Sequence, residues 1–349
     1  MQTNIQRVGI RGVGLLAWRL MLALNGNHRS TINVHAALYR CDPTLEQFLQ
    51  RFRIGKFSKG ILPRENFIAG SEEDLRHANE MADGLISFRS AKELCFEGSV
   101  NAVIDTAPVA NNSSGGKGGI DQFSGPIILQ DGAYPQGRLI LPPSRAPGNG
   151  NRHRLGGCIL SGVVPVMAAF QRELRACRLH VVMQNDKRDN DFLIRERLTS
   201  LAFEPAYPAR LDEELSALMP EVQFDTVSVT QIPGLLHYGL TLDLELSSMP
   251  SMDEVFSRLD GMPHVRVLPK GVTSTYQVNM VEREGIAIPP IMVIRDSVRV
   301  KGNSLRLFVA LGYRTVTVLP NIDTLRVVLK DMDPMDAMRE TDCELGLSS

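Results

Sequence analysis

Residues 8–17 read VGIRGVGLLA, and this stretch decides the fold of the first half of the chain. Apolar residues before it predict a β-strand, and the apolar run after it, to about residue 24, predicts a helix. Small residues at the Gly-x-Gly-x-x-Ala spacing permit a tight turn and let a phosphate approach the helix N-terminus closely. The stretch therefore predicts a dinucleotide-binding turn, with an ordinary glycine-rich turn as the alternative. The expected cofactor-binding positions are Gly12, Val13, Gly14, Leu15 and Leu16.

Strand-like and helical segments alternate through the rest of the first half. Residues 32–38 and 102–105 have strand patterns, whereas residues 44–52 and 72–81 have helical spacing. This alternation is typical of an α/β fold with a Rossmann doubly wound parallel sheet. After about residue 178 the runs are β-branched or alternating, which predicts an α+β domain with a mostly antiparallel sheet.

The position of this change gives the expected domain limits. Residues 1–157 are assigned to a dinucleotide-binding domain, completed by a closing helix at residues 320–349. Residues 158–319 are assigned to a catalytic and oligomerisation domain. A chain of 349 residues is long enough for two such domains.

The composition argues against several classes of protein. The formal net charge of −1 gives no basic field for nucleic acid or for an anionic membrane, and no apolar run reaches the roughly 18 residues of a membrane span. The five cysteines are scattered without a CxxC pair, which predicts reduced thiols, no metal site and a cytoplasmic location. We therefore expect neither a nucleic-acid nor a membrane partner.

Cys158 lies in the stretch RLGGCILSGVVP at residues 154–165. Glycines before a cysteine let a substrate approach the sulfur, and the N-terminus of a following helix stabilises the thiolate. The pattern indicates a nucleophile, and the competing interpretation is an inert cysteine in the core.

Arg40, at the end of the second predicted strand, bears on the choice of cofactor. An acidic residue in this region would bind the ribose 2′-hydroxyl of NAD, whereas an arginine suits the 2′-phosphate of NADP. The sequence therefore favours NADP and leaves NAD as the alternative, unless Arg40 is simply a solvated surface charge. Asp42 is expected either to bind the ribose or, because it directly precedes Pro43, to cap the next helix.

The order of these features resembles the glyceraldehyde-3-phosphate dehydrogenase superfamily, in particular its archaeal-type branch. Residues 8–14 are similar to the motif V-x-I-N-G-x-G, with Arg11 where asparagine is usual. Residues 103–108, VIDTAP, are similar to V-V-D-x-T-P, and residues 157–162, GCILSG, stand over S-C-N-T-T-G. Further matches follow in the same order at residues 232–237, 296–300 and 319–326.

The resemblance implies a chemistry and a set of contacts. Cys158 would attack an aldehyde to form a thiohemiacetal, which loses a hydride to a nicotinamide and becomes an acyl thioester. It also implies cofactor contacts at Thr106, Pro108 and Asn321, the last beside the nicotinamide carboxamide. The implied assembly is a homo-oligomer, a tetramer built on the second-half sheet.

The chain departs from the family pattern at the site itself. An ungapped count places residues 209–212, ARLD, over the S-H-H-G motif that carries the family's general base, so that histidine is missing. Arg210 becomes a candidate to stabilise the Cys158 thiolate or an anion. The asparagine and threonines after the cysteine are replaced at residues 159–161, and the phosphate-binding arginine is replaced at residues 164–165. We therefore expect a substrate other than glyceraldehyde 3-phosphate, either a small molecule or a carrier-bound acyl or aldehyde compound.

Two histidines are candidates for the lost proton carrier. His153 is either a substitute base or anion contact, or part of a solvated basic turn at residues 152–154, which is the favoured interpretation. His237 falls on a predicted strand and is interpreted as a structural histidine.

Three functions remain open from the sequence. The favoured one is an NADP-linked oxidoreductase that interconverts an aldehyde and an activated acyl group through a Cys158 thioester on a non-triose substrate. The second is a catalytically retired paralogue that acts as a binding or scaffold protein. The third is a cysteine-based acyltransferase without hydride transfer.

Overall fold

The computed structural model describes most of the chain, in two compact units. The described residues are 5–12, 14–55, 58–106, 123–130, 137–145, 150–184, 202–203, 207–232, 237–272, 290–312 and 315–347. Unit 1 comprises Met1–Arg138, Pro147–Leu155 and Thr324–Asp333, and unit 2 comprises Leu139–Ala146, Gly156–Asp323 and Pro334–Ser349. The chain thus enters the main part of unit 2 after Leu155.

Unit 1 is built on a parallel sheet. The strands before residue 156 are β1 (Gln6–Arg11), β2 (Ile32–Arg40), β3 (Glu65–Ala69), β4 (Arg89–Ser90), β5 (Ala102–Asp105), β6 (Ile127–Leu129), β7 (Arg138–Leu141), β8 (Ser144–Arg145) and β9 (Arg152–Leu155). In unit 1 their order is β4-β3-β2-β1-β5-β6-β9, and each neighbouring pair is parallel. This confirms the predicted Rossmann-type doubly wound sheet.

Unit 1 contains three described α-helices, and side-chain caps and backbone conformation set the ends of one of them. They are α1 (Leu15–Asn25), α2 (Pro43–Gly55) and α3 (Glu72–Ala82). A capping box between Ser71 and Asp74 starts α3, and Asp83 in the left-handed conformation ends it. Between α1 and α2, Trp18 meets Phe48 edge to face with ring centroids 5.4 Å apart, which joins the two helices through an apolar contact.

Unit 2 contains a mixed, mostly antiparallel sheet, as the fold class predicted. Its strands are β10 (Leu174–Gln184), β11 (Ala202–Phe203), β12 (Gln223–Ile232), β13 (His237–Leu246), β14 (Val265–Val267), β15 (Ile291–Val293), β16 (Arg299–Lys301) and β17 (Ser304–Gly312). The order is β11-β12-β10-β13-β17-β15-β14, with β16 paired to β17. The pairs β10–β12 and β14–β15 are parallel, and the other described pairs are antiparallel.

Helices pack on one face of this sheet and form the core of unit 2. The remaining helices are α4 (Cys158–Ala168), α5 (Tyr207–Leu218), α6 (Met252–Asp260), α7 (Leu319–Lys330) and α8 (Pro334–Leu345). Residues 159–167 of α4 are all buried, so this helix runs through the core rather than over its surface. Across the described helices of the whole chain, none is both long and apolar enough to cross a membrane.

Two predicted elements differ from the structure. The basic turn expected at residues 152–154 is strand β9, which alternates exposed and buried residues. The single closing helix expected at residues 320–349 is two helices, since Asp331 adopts a φ of 50° and Pro334 starts the second.

A buried cation joins three elements of unit 2. His264, just before β14, is almost completely buried and has a φ of 66°. Its Nε2 lies 2.8 Å from Asp323 Oδ2 on α7, and its Nδ1 lies 2.5 Å from Asp342 Oδ1 on α8. Both ring nitrogens face carboxylates, so the ring donates on both sides and is an imidazolium. Burial alone lowers the pKa of His264, but Asp323 and Asp342 raise it to about 10.

This cluster predicts a stability that depends on pH. Because the pKa is raised from 6.5 to about 10, the imidazolium contributes its full stability below pH 6.5 and loses it as the pH rises towards 10. His264→Gln should lower the free energy of unfolding by about 3–5 kcal/mol at pH 6.5, with a deficit that narrows towards pH 10. Urea unfolding at both pH values measures this change. His77→Gln, on the exposed face of α3, is the control, and a deficit for His264→Gln that is constant with pH would contradict the charged cluster.

Candidate functional site

The glycine turn of unit 1 has the geometry that a pyrophosphate requires. Gly12 adopts a φ of 82°, a left-handed conformation that favours glycine, and its N–H donates to Leu38 O at 3.0 Å. Gly14 caps α1 with extended backbone and no side-chain hydrogen bond, and a Cβ on Gly14 would meet none of the described residues within 4 Å. The first turn of α1, which includes the half-buried Leu16, carries no acidic residue. Nothing described at the start of α1 thus opposes a bound phosphate by charge or by contact with Gly14.

Two of the predicted positions in this turn are described only in part. Val13 lies outside the described residues, and Leu15 is described only by its backbone in α1. Both stay predictions.

The carboxyl ends of β1 and β5 are joined by a buried ion pair. β1 lies between β2 and β5, the place where a doubly wound sheet reverses its order and binds its ligand. At this point Arg11 Nε and Nη2 donate to the two carboxylate oxygens of Asp105 at 2.9 and 2.8 Å. Thr106 Oγ1 lies 2.5 Å from Gly12 O, so it holds the turn in place. Pro108 lies outside the described residues.

The structure distinguishes the roles of Arg40 and Asp42, which lie at and just after the end of β2. Arg40 is exposed at the carboxyl end of the strand, opposite Ala69 of β3. Asp42 Oδ1 accepts the Thr44 N–H at 2.9 Å, so Asp42 is the cap of α2. Of the two roles considered for Asp42, the structure supports the cap, and Arg40 remains the candidate contact for a nucleotide phosphate.

Cys158 is the first residue of α4 and is half-buried. Gly157 caps the helix without a side-chain hydrogen bond, and the first turn contains no acidic residue. The positive end of the helix dipole therefore acts on the Cys158 sulfur without a competing carboxylate in that turn, which favours the thiolate. Ser161 Oγ donates back to Gly157 O at 3.1 Å and so rigidifies the turn below the cysteine.

How closely α4 packs against the mixed sheet depends on a second glycine, Gly162. A Cβ built on Gly162 would lie 2.3 Å from Leu311 Cδ2 of β17, closer than any side chain tolerates. Glycine at this position lets the helix backbone rest directly on the sheet. The resemblance placed Gly162 in a family motif, but the packing reason for it is a tertiary contact.

Tyr207, which the sequence analysis did not single out, lies beside this turn. Its Oη is 3.7 Å from the position that a Cβ on Gly157 would occupy. Tyr207 begins α5, and it packs half-buried against the same core as Cys158. The available signal was the apolar spacing of Leu211, Leu215 and Leu218, which is typical of a helix directly after Tyr207.

Arg210 follows Tyr207 by one turn of α5. Its guanidinium carbon lies 6.0 Å from the Tyr207 ring centroid, and its Nε lies 3.6 Å from Glu214 Oε1. Arg210 is thus directed towards Tyr207 and Glu214. Its predicted contact with the Cys158 thiolate stays a prediction.

Two further candidates occupy buried positions. The side chain of His153 is buried on β9, and burial together with Arg138 lowers its pKa, so the ring is neutral at pH 7. This position corrects its favoured interpretation as part of a solvated turn. Asn321 is fully buried in α7, where its Nδ2 donates to Thr317 O at 2.7 Å. The side chain of His237 lies outside the described residues.

The known proteins that resemble this chain in sequence or in fold are named as dehydrogenases. No family model matches the chain. The glyceraldehyde-3-phosphate dehydrogenase of Metallosphaera sedula is 24% identical over 203 residues, which are 56% of this chain and 59% of that protein. The enzyme of the same name from Aeropyrum pernix is 24% identical over 202 residues, with the same shares of both chains. The chain thus spans about 59% of the length of the curated relatives that it matches.

A solved structure extends the similarity of fold to almost the whole chain. The structure of a probable aspartate-semialdehyde dehydrogenase from Pseudomonas aeruginosa covers 93% of this chain and 97% of its own, with a TM-score of 0.60 and 13% identity. At that identity the likeness concerns the fold. The chain is thus similar in part of its sequence to archaeal glyceraldehyde-3-phosphate dehydrogenases, and in its fold to a probable aspartate-semialdehyde dehydrogenase.

Proposed function

We propose that the protein is an NAD(P)-dependent oxidoreductase that interconverts an aldehyde and an activated acyl group through a thioester on Cys158. The observation that carries the proposal is the position of Cys158 as the first residue of α4, half-buried and capped by Gly157. A thiolate at a helix N-terminus behind a glycine is both activated and approachable. The glycine turn of unit 1 supports the cofactor half of the proposal.

Each residue contributes a defined step. The Cys158 thiolate adds to the carbonyl carbon and forms the carbon–sulfur bond, while the helix dipole lowers the cost of its charge. The N-terminus of α1, behind Gly12 and Gly14, would hold the pyrophosphate, and Arg40 a 2′-phosphate. When bound, the nicotinamide supplies or accepts the hydride. Arg40 favours NADP, and NAD is the alternative.

The core around Cys158 supports a substrate other than a triose phosphate. Ile159 and Leu160 are fully buried, so the two positions after the cysteine offer no polar group to a substrate. Val164 and Pro165 are buried inside α4 and carry no charge for a phosphate. A small-molecule or carrier-bound acyl or aldehyde substrate fits these positions better.

A retired paralogue is the second candidate function. The observation in its favour is the buried Arg11–Asp105 ion pair, which stands at the switch point where the family has asparagine in place of Arg11. A scaffold protein would keep such a pair for stability alone. Cofactor titration separates the two candidates.

We also propose a homo-oligomer that assembles through the open face of the mixed sheet. Charged side chains of alternating sign cross this face in register, from β12 to β17: Asp225, Arg178, Asp243 and Arg306. Arg178, Asp225 and Arg306 are each at least 60% exposed. An alternating row is complementary to a second copy related by a two-fold axis, since each charge then meets its opposite.

The protein would act in the cytoplasm.

The first prediction concerns Cys158. Iodoacetamide at pH 7 should alkylate Cys158 at least about tenfold faster than Cys95 and Cys343, because the helix dipole increases its thiolate fraction. Mass spectrometry of timed samples gives the rate at each cysteine. Buried Cys177, whose pKa burial raises to about 12, should stay unlabelled. Equal rates at Cys158 and the exposed cysteines would remove the nucleophile from the proposal.

The second prediction concerns the cofactor. NADPH should bind saturably, and Arg40→Glu should weaken NADPH at least about tenfold while it changes NADH binding far less, because only NADPH carries the 2′-phosphate. Fluorescence titration measures both affinities. Arg76→Glu, an exposed arginine on α3, is the matched control. Absence of saturable binding would favour the scaffold alternative, and equal losses for both nucleotides would refute the Arg40 assignment.

The third prediction concerns assembly. Asp243→Arg should shift the oligomer towards monomer, because four adjacent positions of the row would then carry three positive charges. The double variant Arg178→Asp/Asp243→Arg restores an opposite charge at every position across the two-fold axis and should recover part of the association. Light scattering after size exclusion measures the mass. A wild-type protein that is monomeric at high concentration would rule out this interface.

A further inference from the structure

We propose that Thr106 is a positioning residue of the glycine turn, whose hydroxyl holds the Gly12 carbonyl and so keeps the turn in the conformation that would bind a pyrophosphate. Thr106 would thus act on the nucleotide through Gly12. The inference rests on the proposed function, because it needs the turn to bind a dinucleotide. In the motif V-V-D-x-T-P that residues 103–108 resemble, Thr106 falls on the variable position, so the motif itself does not specify a hydroxyl there.

The hydroxyl of Thr106 is occupied by the backbone of the turn. Its Oγ1 lies 2.5 Å from Gly12 O and 3.1 Å from Arg11 O. Both of these atoms are carbonyl acceptors, so the single hydroxyl proton is donated to one of them or is shared between the two. The proton is therefore used within the turn, and none remains to be donated to a nucleotide.

Gly12 is held from both neighbouring strands. Its N–H donates to Leu38 O of β2 at 3.0 Å, and its carbonyl accepts from Thr106, which directly follows β5. Its φ of 82° lies in a region where glycine has wide freedom, because no Cβ restricts the backbone. Two hydrogen bonds on opposite sides of β1 thus fix a residue that would otherwise populate several conformations.

Two further contacts keep Thr106 within reach of Gly12. The Thr106 N–H donates to Arg11 O at 2.9 Å and continues the β1–β5 ladder by one residue. Arg11 and Asp105, the last residues of these strands, form the bidentate ion pair, and both are buried. The carboxyl ends of β1 and β5 cannot separate without breaking this pair, which would leave each charge without its partner away from water. The hydroxyl therefore meets Gly12 as a consequence of the rigid pairing of the two strands.

A held Gly12 carbonyl favours phosphate binding for an electrostatic reason. A phosphate and a carbonyl oxygen both carry negative charge and repel each other. The Thr106 hydroxyl draws the Gly12 oxygen towards β5 and offsets part of its negative potential by donating a proton to it. Without the hydroxyl, the turn would spend part of its time in conformations that do not fit a pyrophosphate. The apparent affinity falls in proportion to the fraction of molecules that remain competent to bind.

This role has a signature that separates it from the role proposed for Arg40. NADH and NADPH share the pyrophosphate, so the loss of the Thr106 hydroxyl should weaken both nucleotides to the same extent. Arg40 is proposed to meet the 2′-phosphate, which only NADPH carries. A common loss therefore indicates the turn, and a selective loss indicates the 2′-phosphate contact.

The test removes the hydroxyl and keeps the shape of the side chain. Thr106→Val should weaken NADPH and NADH equally, by about three- to tenfold, the fold-change for one hydrogen bond of ordinary net strength. Thr106→Ser keeps the hydroxyl and should bind both nucleotides within about twofold of the wild-type affinity. Fluorescence titration measures these affinities. If thermal melting shows that Thr106→Val is unfolded, Thr106→Ala replaces it and should give the same common loss.

Hydrogen exchange of the nucleotide-free protein gives a second readout. The Gly12 N–H lies in the same turn, so it should exchange faster in Thr106→Val, where the turn opens more often, and at the wild-type rate in Thr106→Ser. Mass spectrometry with fragmentation of the peptide resolves the Gly12 amide. An unchanged rate in Thr106→Val would show that the hydroxyl does not hold the turn.

The matched control is Ser99→Ala, since the Ser99 hydroxyl also lies between two backbone carbonyls of unit 1. Its Oγ is 2.5 Å from Cys95 O and 3.3 Å from Phe96 O, at the opposite end of β5 from the turn. Its loss should change neither nucleotide affinity nor the exchange of the Gly12 amide.

The outcomes separate the inference from the proposed function. If Thr106→Val binds both nucleotides as the wild type does, weakens only one of them, or is matched in its loss by Thr106→Ser, the role of Thr106 is wrong while the proposed function stands. If the wild-type protein binds neither nucleotide saturably, the proposed function fails, and the role of Thr106 fails with it.

Discussion

The close contact between α4 and the mixed sheet at Gly162 is the constraint on which the candidate site depends. A Cβ at that position would lie 2.3 Å from Leu311, so the helix reaches its depth only because glycine leaves room for the leucine. At that depth residues 159–167 are buried, and only the two end residues of the helix, Cys158 and Ala168, come partly to the surface. The packing of this apolar helix thus leaves Cys158 at the margin of the core, where the proposed function requires it.

Two clusters of buried charges pair opposite signs and join elements that are distant in sequence. Arg11 and Asp105 connect β1 to β5 in unit 1, and His264 connects Asp323 to Asp342 in unit 2. Removing one member of such a pair costs more than the pair contributes, since the other charge stays buried. The two clusters therefore specify how the strands and helices of each unit meet.

The fold tolerates wide divergence of sequence, since its likeness to a solved structure persists at 13% identity. Directly after Cys158, Ile159 and Leu160 are buried in the core of unit 2. Under the proposed function, the helix that carries the nucleophile would thus offer little polar contact beyond its first turn, and other helices would supply it. One such helix is α5, which brings the Tyr207 hydroxyl near Gly157 and Arg210 near Tyr207.

The sequence by itself determined the features that arise from local chemistry. The glycine turn at residues 12–14, the alternation of strands and helices, and the position of Cys158 at the start of a helix are all properties of short segments. These patterns are readable because backbone conformation and hydrophobic period depend on near neighbours.

The tertiary structure alone decided the contacts between distant residues. His264 meets partners 59 and 78 positions away, and Tyr207 meets the turn at Gly157 across a separation of 50 positions. The burial of His153 depends on its strand having neighbours in a sheet, which a basic segment of four residues does not reveal. Such contacts follow from how helices and strands pack, and no local pattern encodes which side chain a packed neighbour will face.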